Sequence, residues 1–388
     1  MKLAKLMFTI LIDSILMLFF KLKNKNKNRI IITSTNNTEF NFNSKYIFEY
    51  YIKENKNSEV FFVINNTDKK NKLEIDYPNR IIDTRSIHGK LIALNAKIWL
   101  TSTFDLPLLS VVRDNSRINF HMGHGIPLKK IGLSENNISY IKLINRKIRT
   151  RQFTHAISYS EKLKPQIEKI FDNSKIHYLN IGQPRNDCLY NPYNSAKEKI
   201  LSIISDKKTN PQLILYCPTW RPYEKTKIFP FDDFDIYSLN KYLYNNNTYL
   251  FVRGHPFFEF DLPHNFEYTS NILPLSSKVI DDITGVLCGF DMLITDYSSI
   301  FLDFLSTQKK MAFIPYDIDK YSRIVGFSFD YNYMTPGQKL SSQDELITFI
   351  QSDDNFSEEK KSLIKEINLK NNNCLELSEL LFTYQNRK

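Results

Sequence analysis

The sequence is poor in the residues that build disulfide frameworks and zinc sites. Its 388 residues include four cysteines, which stand far apart at positions 188, 217, 288 and 374. No CxxC pair occurs, and no cysteine lies in a cluster with histidine, so the pattern indicates neither a structural zinc site nor a disulfide scaffold. A reducing cytoplasm fits this cysteine usage best.

Long apolar runs are also scarce. The most apolar stretch, residues 3–20, is interrupted by Asp13, and a carboxylate is costly inside a membrane span. Residues 19–21, Phe-Phe-Lys, lack the small side chains of a signal-peptide cleavage site. With Lys2 and Lys5 at its start and alternating lysines after it, the segment is interpreted as a helix lying in the membrane interface. A spanning anchor and a helix that packs on protein are the alternatives.

Composition and length indicate a folded chain with two domains. Hydrophobic residues make up 42% of the sequence and charged residues 24%, which is too apolar for a disordered chain. A chain of 388 residues exceeds the size at which one core usually stops growing. The 52 basic and 42 acidic side chains give a net charge of +10, which favours anionic partners. No nucleic-acid-binding module occurs, so nucleic acid is not an expected partner.

Short β-rich runs alternate with helical patterns, which predicts parallel sheets with helices on both faces. The first series of predicted strands covers residues 30–34, 60–64, 80–83, 98–102, 118–121, 156–159 and 176–179, with helices at 44–54 and 87–96. The second series has strands at 213–217, 249–253, 266–269, 292–295 and 311–314, and helices at 196–205, 238–246, 276–289 and 299–306.

A turn-rich segment separates the two series. Residues 182–196 are rich in Pro and Asn and are interpreted as a linker or hinge, and the tail from 342 to 381 reads as helical. The sequence therefore predicts an N-terminal membrane-associating segment at 1–28, a Rossmann-like acceptor domain at 29–190, and a Rossmann-like donor domain at 191–388. Ligand is expected in a cleft that the two domains face, at the carboxyl ends of the strands.

The turn after the strand at 118–121 carries a candidate general base. Gly123 and Gly125 flank His124 and permit close approach of the backbone to a ligand. An imidazole in such a turn at a strand end is well placed to take a proton, although an incidental surface histidine is the alternative. His121 is expected to be a structural residue, and Lys129 could meet an anionic substrate.

Two further strand ends in the second half present cationic, hydroxyl and aromatic groups. One strand leads into Thr219, Trp220 and Arg221, whose hydroxyl, indole and guanidinium suit recognition of a base, ribose or phosphate. Packing is an equal alternative for the indole. The next leads into Arg253 and His255, two residues apart, which could stabilise a diphosphate as its P–O bond breaks.

The segment 291–299, DMLITDYSS, reads as a buried strand that runs into a helix start. Ser298 or Ser299 would be the N-cap, and the following backbone N–H groups would suit an anion. Asp303 lies four residues beyond Ser299, on the same helical face, and could accept hydrogen bonds from a polyol or ribose. The acidic run 231–235 invites a magnesium reading, but a solvated loop is preferred, and no bound metal or cofactor is predicted.

These segments, in this order, resemble the CDP-glycerol:poly(glycerophosphate) glycerophosphotransferase family of teichoic acid and capsule synthesis. The resemblance covers most of the chain and is carried by Asn43-Ser44-Lys45, GHGIPLKKIG, GQPRND, CPTWR, RGHP, DMLITDYSSIFLDF and FIPYDIDKY. It implies a GT-B-like α/β fold with two Rossmann-like domains, CDP-glycerol or a related CDP-polyol as donor, and peripheral association with the cytoplasmic face of the cell membrane.

The resemblance also assigns roles to individual positions. It implies that His124 is the base and that His255 is a second catalytic residue. The substrate-binding residues that it implies are the backbone beside the base, at Gly125, Ile126, Pro127 and Leu128, and the donor contacts Arg185, Thr219, Trp220, Arg253, Gly254, Ser298, Ser299 and Asp303. The expected function is transfer of glycerol phosphate or a related polyol phosphate to a lipid-linked acceptor or a growing chain, with release of CMP. The alternatives are a GT-B nucleotide-sugar glycosyltransferase and a non-catalytic basic protein that binds membrane or nucleic acid.

Overall fold

The computed structural model describes residues 2–54, 58–190, 193–205, 208–254, 266 and 268–386. The chain divides into two compact units. The first comprises Met1–His124, Ile131–Asp187 and Lys370–Lys388, and the second comprises Gly125–Lys130 and Cys188–Leu369. The expected boundary near residue 190 is close to the observed change at 187/188. The segment 125–130 and the last helix, however, belong to the opposite unit from the one that the sequence suggested.

The first unit is built on a parallel sheet of seven strands among the residues described. They are β1 (Asn26–Thr33), β2 (Glu59–Val63), β3 (Ile81–Ile82), β4 (Ala96–Thr101), β5 (Ile118–His121), β6 (His155–Ile157) and β7 (His177–Leu179). Their spatial order is β3-β2-β1-β4-β5-β6-β7. The order reverses between β1 and β4, and the carboxyl ends of strands at such a switch point form the usual ligand crevice of this fold class.

Helices cover the faces of this sheet because continuous apolar strands such as Ile30–Ile32 are buried on both sides. The helices of the first unit are α1 (Lys2–Lys21), α2 (Phe42–Glu54), α3 (Thr67–Asp76), α4 (Ile87–Leu94), α5 (Tyr140–Thr150), α6 (Lys164–Phe171) and the C-terminal α14 (Asn373–Asn386).

The second unit repeats the design with a six-stranded parallel sheet among its described residues. Its strands are β8 (Gln212–Cys217), β9 (Thr248–Val252), β10 (Ile272–Pro274), β11 (Met292–Thr295), β12 (Lys310–Phe313) and β13 (Gln338–Lys339). Their order is β10-β9-β8-β11-β12-β13, so the switch point lies between β8 and β11. The expected α/β, GT-B-like fold class is confirmed for both units.

The helices of the second unit follow the strands in chain order. They are α7 (Tyr193–Leu201), α8 (Ile236–Asn245), α9 (Ile300–Phe304), α10 (Ile318–Ile324), α11 (Tyr331–Met334), α12 (Gln343–Gln351) and α13 (Ser357–Glu366). The acidic run at 231–235 supplies helix caps. Asp235 accepts from the Tyr237 N–H at the start of α8, and Asp233 accepts from the Gln343 N–H at the start of α12. In the described part of the chain, no three metal-ligating side chains cluster.

Two predictions in the second series are wrong. The expected strand at 266–269 is replaced by β10, which starts at Ile272, and Phe266 packs into the apolar core instead. The expected helix at 276–289 is only a 3-10 segment, Ile283–Gly289, whose first N–H groups are capped by Asp282. A Cβ at Gly289 would lie 2.8 Å from the backbone of Ala196, so the glycine permits close packing against α7.

Helix α1 packs on the first unit through a face that combines the polar side chains of Asp13 and Ser14 with Met17, which is buried in the apolar core. The Asp13 carboxylate pairs with Lys90 of α4 and accepts from the Leu109 N–H at 2.9 Å, and Ser14 accepts from the Val111 N–H at 3.2 Å. The opposite side is apolar and exposed, and comprises Met7, Phe8, Leu11, Ile15, Leu18, Phe19 and Leu22. Apolar side chains therefore lie on both the buried and the exposed sides of α1, whereas a typical amphipathic helix has its apolar stripe on the core side only.

Across the residues that the structure describes, every helix falls short of the length and hydrophobicity needed to traverse a bilayer.

Candidate active site

The candidate base lies at the carboxyl edge of the first sheet. β5 ends at His121, and the turn that follows contains Gly123 with φ 73° and Gly125 with φ 141°, values that favour glycine. His124 between them is exposed, and its Nδ1 lies 3.2 Å from the carbonyl oxygen of Ser102. Ser102 directly follows β4, one of the two strands at the switch point, so the imidazole stands beside the expected ligand crevice.

The contact with Ser102 decides the tautomer of His124. A carbonyl oxygen only accepts hydrogen bonds, so Nδ1 carries the proton and the lone pair lies on Nε2. A neutral imidazole with its lone pair on the outer nitrogen is the form needed to remove a proton from a hydroxyl. The ring is also held against Phe42, with ring centroids 5.2 Å apart.

Asn43 holds the turn in place from the start of α2. Its fully buried side chain donates to the carbonyl oxygens of Met122 at 3.1 Å and Gly123 at 2.8 Å. Its Oδ1 accepts from the backbone N–H of Arg185, and the Arg185 guanidinium donates to the carbonyl oxygen of His124 at 2.8 Å. The expected donor contact of Arg185 stays a prediction, and the structure shows that its guanidinium supports the turn that carries His124.

A second buried link joins the switch-point strands to the same region. Ser44 donates through its hydroxyl to the Thr33 carbonyl at 2.6 Å, and its N–H donates to the Ser102 hydroxyl at 2.8 Å. The sequence motif Asn43-Ser44 therefore has a positioning role that pattern reasoning did not assign. The signal was a polar pair at the start of an otherwise apolar helix.

His121 is structural, as expected. Its ring is buried and packs against Phe104, Phe153 and Phe171 with centroid distances of 5.0–5.2 Å. Burial among these rings, with a smaller contribution from nearby His124, lowers the pKa of His121 to about 3. This histidine is therefore neutral at physiological pH.

The segment that follows His124 belongs to the second unit. The side chains of Ile126, Pro127 and Leu128 are buried, and the backbone bonds to 326–328, with the Ser328 N–H donating to the Leu128 carbonyl at 2.8 Å. Any ligand contact from 125–128 must therefore come from backbone atoms. Burial lowers the pKa of the neighbouring Lys129, against the opposing effect of Asp296.

A carboxylate organises the carboxyl edge of the second sheet. Asp296, directly after β11, accepts from the backbone N–H of Thr219, the second residue after β8, at 2.9 and 3.1 Å, and from the N–H of Tyr297. These two strands flank the switch point, so the PTWR and TDYSS motifs are fastened to each other there. The Thr219 hydroxyl is buried without a hydrogen-bond partner among the described residues.

The Arg221 side chain supports the link between the PTWR and TDYSS motifs. Its fully buried guanidinium pairs with Asp296 at 2.5 Å and with Asp317 at 2.9 Å. Burial alone would lower the pKa of Arg221, but the two carboxylates raise it above its ordinary value. The rings of Tyr297 and Tyr316 lie 4.8 and 4.7 Å from the guanidinium carbon. Sequence reasoning assigned Arg221 to ligand recognition, whereas the structure buries its guanidinium between Asp296 and Asp317, whose roles were missed.

The remaining predicted groups of the DYSS motif lie on or beside a short helix. Ser299 occupies the N-cap position of α9 without a side-chain cap bond, whereas the Ser298 hydroxyl accepts from the Ile300 N–H at 3.4 Å. With five residues, α9 offers a weaker dipole than the longer helix that the sequence predicted. Asp303 is buried on this helix. Trp220 has 36% of its surface exposed, which is high for a large aromatic side chain.

Arg253 has a supporting task that the sequence did not reveal. Its buried guanidinium donates to backbone carbonyls of the loop after β10, including Ile280 at 2.7 Å and Asp281 at 3.0 Å. The expected phosphate contact of Arg253 stays a prediction. Gly254 directly follows it, and His255 lies outside the described residues.

Two doubly wound α/β units, each with polar groups at the switch point of its parallel sheet, are the architecture of the GT-B-like fold class. The family model described as CDP-Glycerol:Poly(glycerophosphate) glycerophosphotransferase matches residues 15–374. The chain belongs to this family, and it is a polyol-phosphate transferase.

Individual relatives agree with this assignment. The chain is 27% identical over 340 residues to a teichoic acid poly(glycerol phosphate) polymerase of Bacillus spizizenii, with 83% of this chain and 82% of the relative covered. It is 29% identical over 251 residues to a teichoic acid glycerol-phosphate transferase of Staphylococcus aureus, with 61% and 62% covered. A variant of the wall teichoic acid polymerase TagF with CDPG has the same fold, with a TM-score of 0.78, 21% identity, and coverage of 96% and 93%.

Proposed function

We propose that this chain transfers glycerol phosphate, or a related polyol phosphate, from CDP-glycerol to a hydroxyl of a lipid-linked acceptor or of a growing teichoic acid or capsule chain. In this proposal Nε2 of His124 takes the acceptor proton as the acceptor oxygen forms a bond to the phosphorus that carries glycerol. The bond from that phosphorus to the bridging oxygen breaks, and CMP leaves with the electron pair.

The second unit supplies the donor contacts in this proposal. The buried Thr219 hydroxyl, and the hydroxyls of Ser298 and Ser299, stand next to the β8/β11 switch point, where phosphate groups bind in folds of this class. Trp220 is assigned to the base, Asp303 to the polyol hydroxyls, and 253–255 to the diphosphate. The backbone at 125–128 completes the set.

The observation that carries the proposal is the contact between His124 Nδ1 and the Ser102 carbonyl. It fixes an exposed imidazole in the tautomer with a basic Nε2, beside the β1/β4 switch point. A histidine with only a surface role has no need of buried supports such as Asn43 and Arg185, which hold the turn on both sides.

Peripheral association with the cytoplasmic face of the cell membrane is part of the proposal. Support comes from the exposed apolar side of α1, which includes Phe8 at 63% and Phe19 at 66% exposure, in a chain with a net charge of +10.

The test is a transfer assay with radiolabelled CDP-glycerol and a detergent-solubilised lipid-linked acceptor. His124→Gln should lower kcat by roughly 10²–10⁴-fold, the usual contribution of a general base, while leaving the Kd for CDP-glycerol within a factor of a few. His88→Gln, which alters an exposed histidine of α4, is the matched control. Undiminished transfer by the His124 variant would refute the proposed role. Mass spectrometry of the products from CDP-glycerol and CDP-ribitol would identify the polyol, and formation of a nucleoside diphosphate instead of CMP would indicate sugar transfer.

A further inference from the structure

A cationic cavity lies at the amino edge of the first sheet, opposite the carboxyl edge that carries His124. A cavity of about 580 Å³ opens where β4, β5, β6 and β7 begin. Its charged lining residues are all basic, and no aspartate or glutamate contributes to its wall; they are Lys97, Arg113, Arg117, Arg151 and Lys175. A volume of this size admits a small organic anion.

One of these cations is structural. The Arg117 guanidinium is buried, lies 3.9 Å from the Trp99 ring centre, and donates to the carbonyl oxygens of Ala93 and Leu94 at 2.8 Å each. Its charge is balanced by Asp114, which also pairs with Lys25 at 2.9 Å. Arg117 therefore shapes the wall of the cavity.

The other cations leave the cavity strongly positive. Arg151 and Lys175 are exposed, and neither forms an ion pair with a carboxylate in the described parts of the chain. Lys97 donates to the Ser116 carbonyl at 2.5 Å, and its pKa is lowered by burial and by the nearby charge of Lys25. The excess of positive charge in the cavity therefore follows from its lining residues, among which the charged side chains are all basic.

Two imidazoles and a phenol line the same cavity. His155 and His177 are register partners on β6 and β7, with ring centroids 5.1 Å apart, and Tyr384 of α14 lies 4.9 Å from His155. Histidine, arginine and lysine around one concavity are the donors that hold phosphate groups.

The cavity lies near the carboxyl end of α1. Lys25, just after that helix, donates to the Phe20 carbonyl at 3.3 Å and to the hydroxyl of Ser116, a cavity residue, at 2.6 Å. Ser14 of α1 accepts from the N–H of Val111, which is 56% exposed and stands two residues before Arg113. The loop at 109–117 therefore contacts α1 and also forms part of the cavity wall.

We propose that this cavity binds the phosphate head group of an anionic phospholipid while the apolar side of α1 lies among the acyl chains. The inference rests on the proposed membrane-associated function and adds a defined head-group site to it. A soluble polyol phosphate would suit the cations equally well. A lipid is favoured because the exposed apolar side chains of α1, from Met7 to Phe19, extend over about 18 Å of helix, and the same helix end leads through Lys25 to the cavity residue Ser116.

The first test is co-sedimentation with vesicles of phosphatidylcholine alone or mixed with phosphatidylglycerol. The variant Arg151→Gln/Lys175→Gln changes two exposed cavity cations, and Lys53→Gln/Lys72→Gln removes two exposed cations of α2 and α3 as the matched control. Each cation at an anionic surface contributes about 1 kcal/mol, so the cavity variant should bind phosphatidylglycerol vesicles roughly tenfold or more weakly, and the control much less so. Equal losses in the two variants would overturn the proposal in favour of diffuse attraction.

The second test identifies the ligand at the site. With ¹⁵N-histidine labelling, the signals of His155 and His177 should shift with dihexanoyl phosphatidylglycerol and not with dihexanoyl phosphatidylcholine. Inorganic phosphate or glycerol phosphate could instead give shifts of the same size at the same concentration. If the cavity variant also bound vesicles as well as the unaltered protein, the site would be assigned to a soluble anion, and the lipid proposal would be overturned.

The third measurement separates this inference from the proposed function. Transfer from CDP-glycerol to a detergent-solubilised acceptor should be the same in the cavity variant and the unaltered protein. Loss of vesicle binding with full transfer in detergent supports the head-group site. Absence of transfer in both the unaltered protein and the cavity variant would refute the proposed function. The vesicle result would then still decide whether the cavity binds a lipid head group.

Discussion

Replacing Arg221 by methionine should destabilise the second unit more than any exposed substitution. The change leaves Asp296 and Asp317, which are 2.5 and 2.9 Å from the guanidinium, without their buried cation. Removing one partner of a buried ion pair costs about 3–5 kcal/mol. At about 2–4 °C per kcal/mol for a domain of this size, the melting temperature of the second unit should fall by about 6–20 °C.

The same variant should show a characteristic pH dependence. Burial would raise the pKa of Asp317, but hydrogen bonds from Arg221 and Tyr223 outweigh it and hold the pKa below its ordinary value. Asp317 therefore stabilises the native protein above the unfolded-state pKa, and this contribution is lost as the pH falls through the folded-state pKa. Without the arginine, burial dominates, so the deficit of Arg221→Met should be large at neutral pH and shrink as the carboxylates become protonated.

Differential scanning calorimetry between pH 4 and 8 measures both effects, with Lys225→Met as a control that removes a positive charge from an exposed position in the same loop. The double variant Arg221→Met/Asp317→Asn should recover part of the loss, because one buried charge is removed with its partner. A melting temperature within about 2 °C of the unaltered protein would show that the buried network does not hold the two motifs together, and the reasoning would fail.

Three further substitutions test other parts of the structure. Asn43→Ala should cost about 1–3 kcal/mol in a urea titration, because two buried carbonyls lose their donor; a loss under 0.5 kcal/mol would contradict this. His121→Phe should flatten the fall in stability below pH 6.5 by up to about 1.4 kcal/mol per pH unit, because the unfolded histidine takes up a proton there and the folded one does not; an unchanged slope would contradict this. Asp13→Ala leaves Lys90 buried without its partner, and should speed amide hydrogen exchange throughout α1; unchanged exchange would show that the pair does not hold the helix.

Much of the fold was accessible from local patterns. Strands such as β5 and β11 were predicted at their observed bounds because continuous apolar runs bounded by turn residues are typical of buried parallel strands. The strand predicted at 266–269 failed because alternating aromatic residues also occur where one ring, that of Phe266, anchors a loop in the core. The helix predicted at 276–289 failed because Asp282 and Gly289 impose a short capped turn.

The candidate site could be predicted as a set of residues but not as an arrangement. His124 and Thr219 were found because they stand at the ends of predicted strands, where ligands of α/β folds bind. Their supports, Asn43 and Asp296, lie 81 and 77 residues away along the chain, and sequence spacing carries no information about such contacts. Arg253 was predicted from its position at a strand end, but its second role was not. Its guanidinium, which is expected to face phosphate, also donates to four backbone carbonyls of a loop.

The sequence by itself determined that the chain forms two doubly wound α/β units with chemistry at the strand ends, because hydrophobic periodicity and turn residues act locally. Only the tertiary structure decided the proton position on His124, the burial of Arg221 between two carboxylates, and the outward direction of the apolar side of α1. Each of these features depends on a contact between residues that are far apart in the sequence: the Ser102 carbonyl with His124, the Asp296 carboxylate with Arg221, and Asp13 with Lys90. Hydrogen bonds and ion pairs depend on distance in the folded structure, which the local sequence pattern does not give.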